Sequence, residues 1–117
     1  MTVLTETNHV GEFLLSEDNS TRCRENVTVT VSGATTWLSG TVLGKITASG
    51  KYVKYDEAGT DDGRRVAAGV LYNELLPVAG DITATIIARD AEVISAKLTG
   101  IDANGIADLK ALGIIVR

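Results

Sequence analysis

Apolar and polar positions trade places most regularly in the middle of the chain. The run from residue 40 to 72, GTVLGKITASGKYVKYDEAGTDDGRRVAAGVLY, predicts three short strands at 41–47, 51–55 and 66–72. In the middle strand Lys51, Val53 and Tyr55 point to one side and Tyr52 and Lys54 to the other, the period of two that a strand imposes. Ser49-Gly50 and Asp62-Gly63 supply residues that tolerate the positive φ of tight turns, so the expected arrangement is a meander. Upstream, VTVTV at 27–31 alternates strictly and reads as a half-buried strand. Downstream, ITATIIA at 82–88 is the most apolar strand, and Arg89-Asp90-Ala91 turns it toward a partner at 92–96. Between these lies NELLPVAG, 73–80, where Pro77 cannot donate to a ladder and marks a connection.

The pattern changes period near the end. Asp102 is placed to cap a short helix, with Ile106, Leu109 and Leu112 three residues apart. Gly113 stands where a left-handed cap ends it, and Ile114-Ile115-Val116 reads as a closing strand or tail. At the other end MTVLTETNHV has no helical stripe and is expected to be an extended arm. GEFLLS, 11–16, is a compact apolar patch that either packs as a first strand on its own domain or adds to the sheet edge of another chain. The division expected is an arm over 1–15 and one β-rich domain over 16–117. The fold class is therefore mainly β, with one short C-terminal helix.

Length and charge narrow the function. With 117 residues the chain builds one core, burying roughly two-thirds of its unfolded surface. Fifteen Asp and Glu against eleven Lys and Arg, a formal charge of −4, disfavour a polyphosphate partner and so direct nucleic-acid binding. No stretch approaches the ~20 apolar residues of a membrane span, and the N-terminus lacks a basic segment followed by an apolar run; synthesis in a cytoplasm is expected. A single cysteine, Cys23, cannot form an intramolecular disulfide. Asn19-Ser20-Thr21 and Asn26-Val27-Thr28 match the glycosylation acceptor pattern, which carries little weight without a secretory signal.

Candidate chemistry is thin. Nucleophilic catalysis needs a base beside a Ser, Thr or Cys, and the one histidine, His9, lies in the arm. Cys23 sits between Arg22 and Arg24, which would lower its pKa if the thiol were open to them; the simpler reading is a small residue leading into a strand. Residues 40–46 fail as a phosphate-binding loop, having three residues between the glycines and Ile46 where a Ser or Thr is needed. Asp56, Glu57, Asp61 and Asp62 crowd one loop, and counting back from Gly63 places Ala58 at the first position of a calcium loop, so that pattern fails too. The same crowding is unsuited to a glycosidase pair. An enzyme is not expected, nor a metal or other cofactor. Aromatics are 4% of the chain, leaving few platforms for bases or sugars. Trp37 fits either a core plug or the centre of an interface.

VLGKIT, GKYVKYD, the Asp/Gly loop and AAGVL, followed by IIARDAEV (86–93) and DLKALGIIVR (108–117), resemble the head decoration proteins of tailed phages, of the lambda type. The resemblance runs from Gly11 onward in pattern and order. It implies a small compact β-barrel-like or tulip-like domain with an extended N-terminal arm. It also implies a homotrimer at three-fold sites on the outer surface of the expanded head in the virion, a major capsid protein as partner, and stabilisation against packaged DNA. By this resemblance the capsid contact falls on Thr2, Val3, Leu4, Phe13, Leu14 and Leu15. Trp37, Tyr52 and Tyr55 are candidates for the trimer interface. Here the leading arm is short and its apolar patch lies close to the domain. The rival reading is a carbohydrate- or receptor-binding β module of a phage particle.

Overall fold

The computed structural model describes residues 10–17, 23–31, 36–76 and 80–117. Eight strands and one helix follow in the order β1 (Leu14–Glu17), β2 (Arg24–Val31), β3 (Val42–Lys45), β4 (Tyr52–Lys54), β5 (Ala67–Leu71), β6 (Gly80–Ile87), β7 (Ala91–Val93), α1 (Ala103–Ala111) and β8 (Ile114–Val116). Five strands close a barrel in the order β2-β4-β3-β5-β6, and β1-β7-β8 form a separate sheet. The β-rich, barrel-based fold with one short C-terminal helix agrees with the sequence reading.

Alternation explains how one short chain fills two cores. Leu43, Leu71 and Ile86 belong to a cluster made only of barrel residues together with Trp37 and Leu75. Their chain neighbours Val42, Val70 and Ile87 belong to a second cluster, which adds Phe13, Ala91, Val93 and Ile114 from the small sheet and Leu109 from the helix. Successive side chains of β3, β5 and β6 thus face the barrel interior and the seam between barrel and outer layer by turns. These strands are apolar on both faces, which is why β5 and the end of β6 read as unbroken apolar runs. Residues 52 and 55 differ in parity, and Tyr52 accordingly joins the barrel cluster while Tyr55 joins the seam.

The central segment departs from a simple meander. β3 pairs antiparallel with β4, as a hairpin should, but β5 pairs with the other edge of β3, not with β4. The outer edge of β4 is taken by a parallel pairing to β2 at Val29 and Tyr52. The loop after β4 therefore crosses the end of β3, where Thr47 N–H donates to Asp62 O at 2.9 Å. The foreseen turn glycines 50, 63 and 113 all adopt positive φ, at 74°, 115° and 83°. Asp90 turns β6 into β7 at φ 51°, a left-handed conformation that Asp tolerates.

α1 begins at its expected cap: Asp102 accepts from the Gly105 N–H at 2.7 Å. Of its apolar stripe only Leu109 is fully buried, while Ile106 and Leu112 are 39% and 37% exposed. The buried positions of α1 are Gly105 and Leu109, four apart, so one narrow face of the helix meets the seam. β7 is shorter than the predicted 92–96 because a 3₁₀ turn at Ser95–Lys97 redirects the chain, and Thr99 then bridges Thr41. Of the expected arm, residues 10–15 are part of the domain body: Phe13 is in the seam core and β1 pairs with β7. No helix among the described residues is long and apolar enough to cross a membrane.

Candidate functional site

The N-terminal stretch is held by a short relay. Gly11 N–H donates to Ser39 Oγ at 3.0 Å, and Ser39 Oγ–H donates to Tyr72 O at 2.8 Å. Phe13 packs edge-on to Tyr72 with ring centres 6.5 Å apart, and its carbonyl accepts from Ile94 N–H at 2.8 Å. Phe13 is fully buried, Leu14 is half-buried, and Leu15 is 52% exposed. Val10, just before, is 53% exposed. β1 is an end strand in the order β1-β7-β8, so Leu15 projects beside an unpaired sheet edge among the described residues. Thr2, Val3 and Leu4 lie outside the described residues.

A clamp secures the far end of this strand. Arg24 donates to both oxygens of Glu17, at 2.9 and 2.7 Å, and Cys23 Sγ–H donates to the same carboxylate at 2.9 Å. The Arg24 hydrogen bonds, with help from the thiol, hold the Glu17 carboxyl below the usual glutamate range. Arg24 also lies 4.3 Å over the Tyr72 ring, stacking a cation on an aromatic face. Cys23 is fully buried, and burial pushes its thiol up, with Glu17 adding to the shift. Arg24 therefore does not activate it, and Arg22 lies outside the described residues; a protonated thiol that donates to a carboxylate is a structural group.

The three aromatic candidates are all inside the protomer. Trp37, Tyr52 and Tyr55 are 3%, 7% and 6% exposed. Trp37 is paired through its backbone with Leu75, and Lys54 Nζ lies 5.0 Å above its ring. Lys45 Nζ stands 5.8 Å over Tyr52. Tyr55 Oη–H donates to Asp102 Oδ1 at 2.7 Å, tying β4 to the start of α1; burial and then this carboxylate raise its pKa.

The acidic loop is engaged in its own architecture. Asp56 accepts from Ala58 N–H at 3.1 Å, Asp62 accepts from the Arg64 guanidinium at 2.8 Å, and Glu57 accepts from the Asn104 side-chain amide. Among the described residues no three His, Cys, Asp or Glu side chains group as a metal site. The clamp of Glu17 and the Ser39 relay were beyond sequence reasoning, because each joins residues from separate segments of the chain with no local pattern to mark them. The exposed Val66 and Leu76, at 57% and 67%, were missed too: Val66 reads locally as the start of a strand, and Leu76 as one apolar residue of a connection.

A sequence model of the family described as bacteriophage lambda head decoration protein D matches residues 3–114. No curated protein matches the chain. The matched span takes in every strand but the last residues of β8, the whole of α1 and the relay and clamp that seat β1. The chain thus belongs to the bacteriophage lambda head decoration protein D family and is a structural component of a phage head.

Proposed function

We propose that this protein is a cement protein that binds the outer surface of the expanded head as a homotrimer at three-fold sites and stabilises it against the pressure of packaged DNA. Its partner is the major capsid protein, it is made in the host cytoplasm, and it acts by binding, without catalysis and without direct contact to nucleic acid or membrane. The observation that carries this reading is the family match over residues 3–114. Three copies engaging one shell bind with an effective concentration that no single copy has. A protein that binds only the expanded shell lowers the free energy of that state by linkage.

The capsid contact is assigned to residues 2–15. Leu15 and the edge of β1 that is unpaired among the described residues offer both an apolar anchor and main-chain hydrogen bonds, the two elements of strand addition. Phe13 is then the peg that fixes the strand to the domain, with Leu14 beside it. The trimer contact is assigned to the surface over Trp37, Tyr52 and Tyr55, whose rings stiffen it from beneath. The rival reading, a carbohydrate- or receptor-binding module, needs open rings. Four of the five aromatics are buried, and the fifth, Tyr72, is held between Phe13 and Arg24.

Removing residues 2–15 would extract Phe13 from the core, so the informative variants are a deletion of residues 2–9 and Leu15→Asp. Each is expected to fold and to lose binding to heads that lack the protein, read by co-sedimentation. Full binding by both variants would move the contact to the domain body.

A further inference from the structure

β1 carries one extra residue. Leu14 pairs with Val93 and Ser16 with Glu92, the adjacent residue of β7, so Leu15 has no partner on that strand and β1 bulges there. In an unbroken strand Leu15, two residues from Phe13, would face the seam with it. With the bulge, Phe13 is fully buried and Leu15 is 52% exposed. The strand gives up a ladder position and turns a large apolar side chain outward.

Both ends of the bulged strand are held against one ring, that of Tyr72. Before the bulge the chain passes so close that a Cβ on Gly11 would stand 3.0 Å from Tyr72 Cε2, and Phe13 meets the ring edge-on. After the bulge Arg24, which grips both oxygens of Glu17, lies 4.3 Å over the same ring. The backbone of residue 72 is itself fixed: its N–H donates to Thr85 O at 2.9 Å and its carbonyl accepts from Ser39 Oγ–H.

We propose that Tyr72 is the positioning residue of the capsid contact: by holding Gly11 and Phe13 directly and Glu17 through Arg24, its ring keeps Leu15 turned outward in the free protein. This rests on the capsid reading above. The strand that meets the shell is set before contact, so binding carries no ordering cost over residues 11–17. Without the ring, only molecules with β1 seated are competent, and the apparent affinity falls by that fraction.

The test pairs amide exchange of the full chain with its binding to heads that lack the protein. Ile94 N–H, which donates to Phe13 O, reports the seating of β1; Ile46 N–H, which donates to Lys51 O, reports the barrel. Tyr72→Leu is expected to speed exchange at Ile94 about tenfold, to leave Ile46 unchanged and to weaken head binding about tenfold. Tyr72→Phe keeps the ring and is expected to match the parent in all three. Arg24→Gln, at a partly exposed position, releases the Glu17 end without touching the core and is expected to act in the same direction as Tyr72→Leu. In a Leu15→Ala background Tyr72→Leu is expected to lose little further affinity, because the side chain it positions is gone. Losses that simply add, or faster Ile94 exchange with parent affinity in Tyr72→Leu and Arg24→Gln, overturn this inference and leave the capsid reading standing. Unchanged Ile94 exchange in both variants overturns it as well. A parent chain that does not bind heads overturns the capsid reading, and this inference with it.

Discussion

Gly63 is the point at which the loop between β4 and β5 presses on β3. Its φ is 115°, and a Cβ placed there would stand 2.1 Å from the carbonyl oxygen of Lys45 and 2.9 Å from the Thr47 nitrogen. Both are backbone atoms, so relief requires the loop to lift, which breaks the Thr47 N–H to Asp62 O bond alongside. The left-handed backbone alone costs a non-glycine residue roughly 1–3 kcal/mol, and the lost hydrogen bond adds about 1 kcal/mol. Gly80 provides the control, because its φ is 122° and no atom lies within 4 Å of its Cβ position. Gly80→Ala therefore measures the backbone strain with no clash. Gly63→Ala is expected to be less stable than Gly80→Ala by about 2 kcal/mol, the hydrogen bond and residual overlap together. With a urea m-value of roughly 2 kcal/mol/M, the midpoints should differ by about 1 M. The comparison is made at one fixed protein concentration, since assembly would add stability by mass action. Equal midpoints for the two variants would refute the crossing-loop account of this region.

Three further outcomes are expected. Tyr55→Phe should lose about 1 kcal/mol in chemical denaturation, because Asp102 keeps its Gly105 N–H, whereas Asp102→Ala should lose about 2 kcal/mol by removing the helix cap and the tyrosine's acceptor together; the reverse order would sink this picture of the latch. Glu17 has a depressed pKa in the folded state, so its contribution is present above the ordinary glutamate value of about 4.3 and is lost as pH falls through the folded value. Glu17→Gln should thus be less stable than the parent at pH 7 and show a shallower loss on acidification, and parallel pH profiles would count against the clamp. Leu109→Ala, at the one fully buried apolar position of α1, should cost about 2–5 kcal/mol in equilibrium unfolding, against under about 1 kcal/mol for Ile106→Ala at its half-open neighbour; similar losses would show that the helix seats on a broader face.

How much could be read from the chain depended on how local each signal was. The alternation of VTVTV, the Asp102 cap and the glycine after α1 are decided within a few residues, and strands and helix fall where those signals put them. Pairing is another matter. Nothing in residues 66–72 tells β5 to choose β3 over β4; that choice follows from β2 occupying the edge of β4, a contact made by residue 29. Phe13 illustrates the same limit at a site. GEFLLS announces an apolar patch, but which of its members faces inward is set by the register with Val93 and by Tyr72, far along the chain. Trp37 was legible as either plug or interface, and the structure gives it features of both: a buried ring beside an open groove, its N–H unpaired among the described residues.

The antiparallel seam between β2 and β6 matches Val31 with Gly80 at one end and Arg24 with Ile87 at the other. Every strand of the hairpin and crossing loop lies between those partners in the chain. On a ribosome, β2 emerges early and must wait for β6 before its longest ladder can form, so that edge of a β-branched strand stays unpaired while residues 32–79 are made. Closing a loop of this span precedes the contacts that reward it, which places folding in the slow, millisecond-to-second range of β topologies. The same closure works in the opposite direction once complete: no barrel strand can peel from an edge, and loss of the fold has to begin by opening the ring.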